Sequence, residues 1–127
     1  MMFFLKINKF YIFFKSTTLS QNGYYIYINA ASPRQPNDAA RILSPYIRIN
    51  QNVGGCFKFY YHMFGPDIFR LNLYAQNGTG NGNYGKPILQ KQSNKGDRWI
   101  LGHVFIENRQ NENIRFIIEA IVNFFTN

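Results

Sequence analysis

An all-β domain of two antiparallel sheets packed as a sandwich is the fold class this sequence predicts, and three observations lead to it. The run Cys56-Phe57-Lys58-Phe59-Tyr60-Tyr61-His62-Met63-Phe64-Gly65 alternates strictly. Phe57, Phe59, Tyr61 and Met63 fall on one side, and Lys58, Tyr60 and His62 on the other, which is the period of a half-buried strand. Short apolar runs recur along the chain between segments rich in Gly, Pro, Asn and Asp, as in sandwiches. Phe (13) and Tyr (9) far outnumber Trp (1), a profile common in β-rich proteins.

Taken in order, the elements are these. Tyr24 to Ile28 is the first strong strand. Ala31 to Asp38 holds two prolines and an Asn-Asp pair, which exclude a strand centre and predict a loop. Ile42 to Ile49 is a strand interrupted by Pro45, and Asn50 to Gly55 is a turn. The strand from Cys56 to Phe64 is the clearest; Gly65-Pro66-Asp67 then turns the chain into Ile68 to Ala75. Gln76 to Gly85, with its interleaved Gly and Asn, is short enough for a hairpin loop. Pro87 to Lys91 is a short strand, and Gln92 to Asp97 a polar loop. Trp99 to Ile106 is a strand apolar on both faces. Ile114 to Ile121 is the last, its β-branched residues arguing against a helix of similar length. Seven strands result. Phe69, Leu71 and Leu73 are expected to face one core with the odd residues from Phe57 to Met63 and with Ile114, Phe116 and Ile118.

The length of 127 residues suits one domain with one modest core. Residues 1–21 form a leader with three open readings: a poor signal peptide, a true strand or anchor, or a non-native segment from an incomplete gene model. Lys6, Lys9 and Lys15 break its apolar run below what a signal peptide or a spanning helix requires. The sandwich is expected over 22–121, followed by a tail over 122–127.

Fourteen basic against six acidic residues give a formal charge of +8. Such a surface attracts nucleic acid, acidic lipid or glycan when its charges cluster. Here they are spread singly, with no run of three, so a basic but unspecialised surface is the reading. Aromatics spaced at period 2 belong to a core rather than to a base-stacking platform, so no nucleic-acid partner is expected.

Catalytic chemistry finds no support. His62 and His103 are the only histidines, and both lie mid-strand. A metal site needs three or four ligands, and a triad needs a nucleophile, base and acid in reach. Cys56 and His62 share one strand face, but six residues of extended chain hold them about 20 Å apart. Asp38, Asp67, Asp97, Glu107, Glu112 and Glu119 show no calcium-loop spacing. Gly85-Lys86-Pro87 lacks the Lys-Ser/Thr ending of a phosphate loop. No enzyme activity, cofactor, metal or small-molecule substrate is therefore expected. Two residues remain as candidates for modification. Asn77-Gly78-Thr79 is an N-glycosylation sequon in an accessible loop. Cys56, the one cysteine, is either a buried thiol in a reducing compartment or half of a disulfide whose partner is missing.

Certain pieces, in order, resemble a known family: Gly23-Tyr24-Tyr25-Ile26-Tyr27-Ile28-Asn29-Ala30, Asp38-x-Ala40-Arg41-Ile42-Leu43-Ser44-Pro45, Cys56 through Gly65, Leu71-Asn72-Leu73-Tyr74, Gly96-Asp97-x-Trp99 and Ile114-x-Phe116-x-Ile118-Glu119. The order is similar to that of the MAM domain, named after meprin, the A5 antigen and receptor phosphatase mu. The resemblance runs from about Asn22 to Glu119. It implies a jelly-roll sandwich, outside the cell or at its surface, that mediates adhesion or protein contacts without catalysis. Its partners would be other extracellular proteins, homotypic or heterotypic, with membrane attachment only through other parts of a parent glycoprotein. In the family a Cys opens this strand and pairs with a later one; no later Cys follows Cys56, so the resemblance implies a free thiol there. The family's opening and closing strands are not recognisable, which implies a fragment incomplete at both ends. A jelly-roll carbohydrate-binding domain is the alternative, since lectins share the architecture.

Overall fold

A computed structural model describes the backbone of residues 9–14, 24–29, 35–50, 52–78, 82–107 and 112–122, with side chains from residue 35 onward in those ranges. Among the described residues there are nine strands: β1 (Lys9–Phe14), β2 (Tyr24–Asn29), β3 (Ala39–Leu43), β4 (Ile47–Arg48), β5 (Gly55–His62), β6 (Ile68–Asn77), β7 (Leu89–Gln92), β8 (Ile100–Ile106) and β9 (Asn113–Val122). The two beyond the expected seven have separate origins. β1 lies in the leader, where it pairs with β2 and, at Tyr11 and Ile12, with β5. The rest of the leader, the loop residues 30–34 and the tail 123–127 lie outside the described residues.

The other extra strand comes from Pro45. Proline cannot donate to a ladder, so the stretch from Ala39 to Arg48 pairs with β9 in two pieces. Leu43 stands opposite Ile117, but Ile47 stands opposite Ile114, a shift of one residue. Ser44 bridges the break. Its backbone N–H donates to the Phe116 carbonyl at 2.9 Å, and its Oγ accepts the Phe116 N–H at 2.8 Å. The break therefore leaves that amide satisfied.

Every described pairing is antiparallel. One sheet has four strands in the order β2-β1-β5-β8. The other has five, in the order β3-β9-β6-β7 with β4 also on β9. Their inner faces share one core: Phe59, Tyr61 and Met63 from β5 and the segment after it, Leu71 and Leu73 from β6, Ile106 from β8, and Ile114, Phe116, Ile118 and Ala120 from β9. Phe57 stacks on Phe116 across the gap, with ring centroids 4.2 Å apart. Gly102 stands opposite Phe59 on β8 because the Phe59 ring occupies the space a side chain would need: a Cβ there would lie 2.7 Å from Cζ.

One expected core position moves. The register between β6 and β9 shifts between Ile68 and Arg70, a β-bulge at Phe69. Ile68 takes the buried place and Phe69 is only half-buried, with the Arg70 guanidinium 4.5 Å from its ring centroid. The expectation for Phe69 is corrected accordingly. Strict alternation counts back from Leu71 to Phe69, and a bulge inserts one residue into that count.

Candidate interaction surface

The outer faces of the two sheets differ in kind. On the five-stranded sheet, the register aligns Arg41, Glu119, Asn72 and Gln90 in one row across β3, β9, β6 and β7. Glu119 is the hub, only 5% exposed. Arg41 Nε donates to Glu119 Oε2 at 2.7 Å. Asn72 Nδ2 and Tyr74 OH each donate to Oε1 at 2.9 Å. Gln90 Nε2 donates to Asn72 Oδ1 at 2.8 Å, extending the row to β7. Tyr84, from the segment between β6 and β7, lays its ring against Tyr74 with centroids 5.5 Å apart. Burial alone would raise the Glu119 carboxyl. The hydrogen bonds from Asn72, Tyr74 and Arg41, with the Arg41 charge, outweigh it and hold the carboxyl below its usual range. Burial, then the hydrogen bond to Glu119 and its charge, raise the Tyr74 phenol, so its proton stays in the network. A carboxylate with these partners is structurally committed; the network ties four strands together.

A second polar pair lies where β5 ends. His62 is 1% exposed and meets Asp97 Oδ1 at 2.8 Å through Nε2. A carboxylate only accepts, so Nε2 carries the proton. Trp99 packs edge-on against His62, with centroids 5.3 Å apart. The segment from Gly96 to Trp99 thus closes over the imidazole.

The outer face of the four-stranded sheet is open where β5 and β8 form it. Cys56 stands opposite Phe105, Lys58 opposite His103 and Tyr60 opposite Leu101. Phe105 is 61% exposed and Leu101 45%. Cys56, Lys58 and His103 are exposed as well, and β8 ends the strand order of its sheet. Phe105 curls over Gly54, where a Cβ would come within 2.6 Å of its Cζ. Gly54 has φ +73, so only glycine meets both demands easily. The result is an apolar patch beside a lysine and a histidine.

The candidate residues therefore separate. Cys56 is a free, exposed thiol on this open face. Asn77 ends β6 and is exposed, opposite Ile114. Cys56 and His62 occupy opposite halves of β5, while His103 faces Lys58. Among the described residues, no group of three or more His, Cys, Asp or Glu comes together to hold a metal. Sequence reasoning missed two arrangements. Period 2 placed Asn72 on the outer side of its strand, but gave no sign that Glu119 would be buried against it from 47 residues away. The usable signal was a carboxylate inside the apolar run Ile114 to Ile121, since such a group needs partners. The bond between His62 and Asp97 is likewise long-range, 35 residues apart.

Two antiparallel sheets around one apolar core define the class as a β-sandwich domain. The family model of the MAM domain (meprin/A5/mu) matches residues 11–126, and this chain belongs to that family of extracellular adhesion and interaction modules. The human MAM domain-containing glycosylphosphatidylinositol anchor protein 2 is 37% identical over 94 residues, covering 68% of this chain and 10% of that protein. A chicken relative, MAM domain-containing glycosylphosphatidylinositol anchor protein 1, is 35% identical over 82 residues, 65% of this chain and 8% of its own length. Neuropilin-1a of zebrafish is 32% identical over 101 residues, 80% of this chain and 11% of that protein. The chain spans about a tenth of the length of these relatives.

Proposed function

We propose that this chain is a non-catalytic jelly-roll module at the cell surface or outside the cell, and that it makes protein–protein contacts through the outer face of β5 and β8. The observation that carries this reading is the exposure of Phe105 and Leu101 beside Lys58 and His103. Large apolar side chains rimmed by polar ones are the usual composition of contact surfaces. The glycosylphosphatidylinositol anchor in the names of two relatives supports a surface location. The test is adhesion of beads coated with the secreted chain, to each other and to cells. Phe105→Asp is expected to abolish adhesion while the chain stays folded. Adhesion undiminished in that variant would rule out this face as the contact surface.

The chemistry of Asn77 and Cys56 follows from the same location. In the secretory pathway Asn77 carries an N-linked glycan, because this sequon asparagine is exposed where β6 ends. Glycosidase treatment is expected to reduce the mass of the secreted chain, and Asn77→Gln to remove that change. Cys56, as the family's strand-opening cysteine, is available to pair with a thiol outside this chain, the two electrons and two protons passing to the oxidants of the secretory pathway. Non-reducing mass spectrometry is expected to show a disulfide dimer that Cys56→Ser eliminates.

Carbohydrate binding is the second reading. Exposed Trp99 and Phe64 near the exposed Asp97 favour it, since aromatic faces beside a carboxylate suit a sugar. The bond from His62 to that carboxylate weighs against it. A glycan array decides: selective binding lost in Trp99→Ala would establish a lectin and displace the protein-contact reading.

A further inference from the structure

A cavity of about 250 Å³ opens at the end of the sandwich where β4 approaches the start of β5. Its walls are chiefly apolar: Pro45, Ile47, Ile49, Phe57, Ile106 and Phe116. The backbone chemistry above explains why it exists. Pro45 breaks the edge strand into β3 and β4, and the piece after the break is only two residues long. The edge of the five-stranded sheet is therefore thin there, and the rings of Phe57 and Phe116 form the floor. The volume exceeds the roughly 150 Å³ of an apolar cavity known to take up benzene, so it accommodates an aromatic ring.

One charged residue, Lys58, stands among the cavity's described lining residues, and no Asp or Glu does. Across the ladder Lys58 faces His103 rather than a carboxylate. Ile47 at the wall is 43% exposed, and Cys56 at the rim stands beside the exposed Phe105. Cys56 and Lys58 thus flank the cavity along β5, whose other side is the open face shared with β8.

We infer that this cavity is a docking pocket for one large apolar side chain of an acidic polypeptide segment, whose carboxylate pairs with Lys58. The inference rests on the protein-contact reading above and names the chemistry of the partner. A buried aromatic anchor with a charged contact at its rim is the arrangement that gives protein contacts both affinity and orientation. The apolar walls select the anchor, and the lysine selects the charge beside it.

The experiment titrates the isotope-labelled full chain with two capped peptides, Glu-Trp-Glu and Lys-Trp-Lys, followed by NMR. The acidic peptide is expected to shift Phe57, Lys58, Ile106 and Phe116 saturably, and the basic peptide to leave them in place. Lys58→Glu, a surface change that preserves folding, is expected to weaken the acidic peptide by about tenfold. Ile47→Arg, which places a long side chain across the mouth, is expected to abolish the shifts. Equal response to both peptides, or shifts confined to other regions, would overturn the proposal. So would concentration-dependent dimerisation that Ile47→Arg abolishes, since the pocket would then serve a second copy of this chain. Bead adhesion that both variants leave unchanged would reject the pocket while leaving the wider contact reading intact. Loss of adhesion in Phe105→Asp alone would likewise reject the pocket and keep the wider reading.

Discussion

The two sheets of this sandwich present opposite solutions to the same problem. Each has an outer face that the core does not cover. On the five-stranded sheet that face is closed by its own chemistry: Glu119 accepts from Arg41, Asn72 and Tyr74, and Tyr84 packs on Tyr74. Around Glu119 the donors and acceptors are spent on one another, while Arg70 Nε and Gln76 Nε2 elsewhere on β6 have no hydrogen-bond partner among the described residues. On the four-stranded sheet, Phe105, Leu101, Lys58 and Cys56 face outward. Buried polar networks are costly unless satisfied, so a satisfied one marks a face committed to holding the fold. An exposed apolar patch has the opposite meaning, because water is a poor partner for it and another surface is a better one. On the proposed reading, stability and recognition are divided between the two faces of one small domain.

Substitutions test that division, beginning with the core beneath both faces. Phe59→Ala removes a fully buried ring that packs over Gly102 and is expected to cost about 3–5 kcal/mol in chemical denaturation. A small effect would mean that β5 and β8 do not share the common core. Glu119→Ala should come next. It leaves the Asn72 and Tyr74 donors without their acceptor, at about 1–3 kcal/mol for each group left buried and unsatisfied. If stability is unchanged, the closed face is closed by something other than this network.

The same network sets a pH dependence whose sign follows from Glu119. Its carboxyl is held below the usual range in the folded state, so the unfolded chain binds the proton more readily. The stabilisation is complete above the ordinary glutamate value of about 4.3 and is lost as pH falls through the lower folded value. Acid unfolding of the native chain is expected to steepen below that point, and Glu119→Gln to remove that share of the slope. The smallest effect belongs to the open face. Phe105→Asp is expected to shift stability by only about 0.5 kcal/mol, as exposed substitutions do. A much larger loss would show that Phe105 serves the fold.

The strand pattern was legible in the sequence because period 2 is a local property. From Cys56 to Met63 the alternation alone separates the core side from the outer side, and the buried Phe59, Tyr61 and Met63 follow it. Pro45 also announced its break locally. Legibility ends where a residue's environment depends on distant chain. The bulge at Phe69 arises from the pairing of β6 with β9, which the β6 sequence by itself does not encode. Glu119 sits in an apolar run that looks like any other half-buried strand, and its partners come from two other strands. By sequence Asp97 belongs to a polar loop, and its bond to His62 appears only once the loop folds back on β5. The open face was partly visible. Leu101 and Phe105 fall on one side of a strand whose both faces are apolar, and only the strand order leaves that side uncovered.

The most direct test of the division compares Phe105→Asp with Glu119→Gln for bead adhesion at matched folded fraction, with thermal unfolding recorded on the same samples. The account predicts that Phe105→Asp keeps its melting temperature and loses adhesion, while Glu119→Gln melts lower and, where folded, adheres like the native chain. Adhesion that survives Phe105→Asp and disappears in folded Glu119→Gln would contradict it, because recognition would then belong to the face assigned to stability.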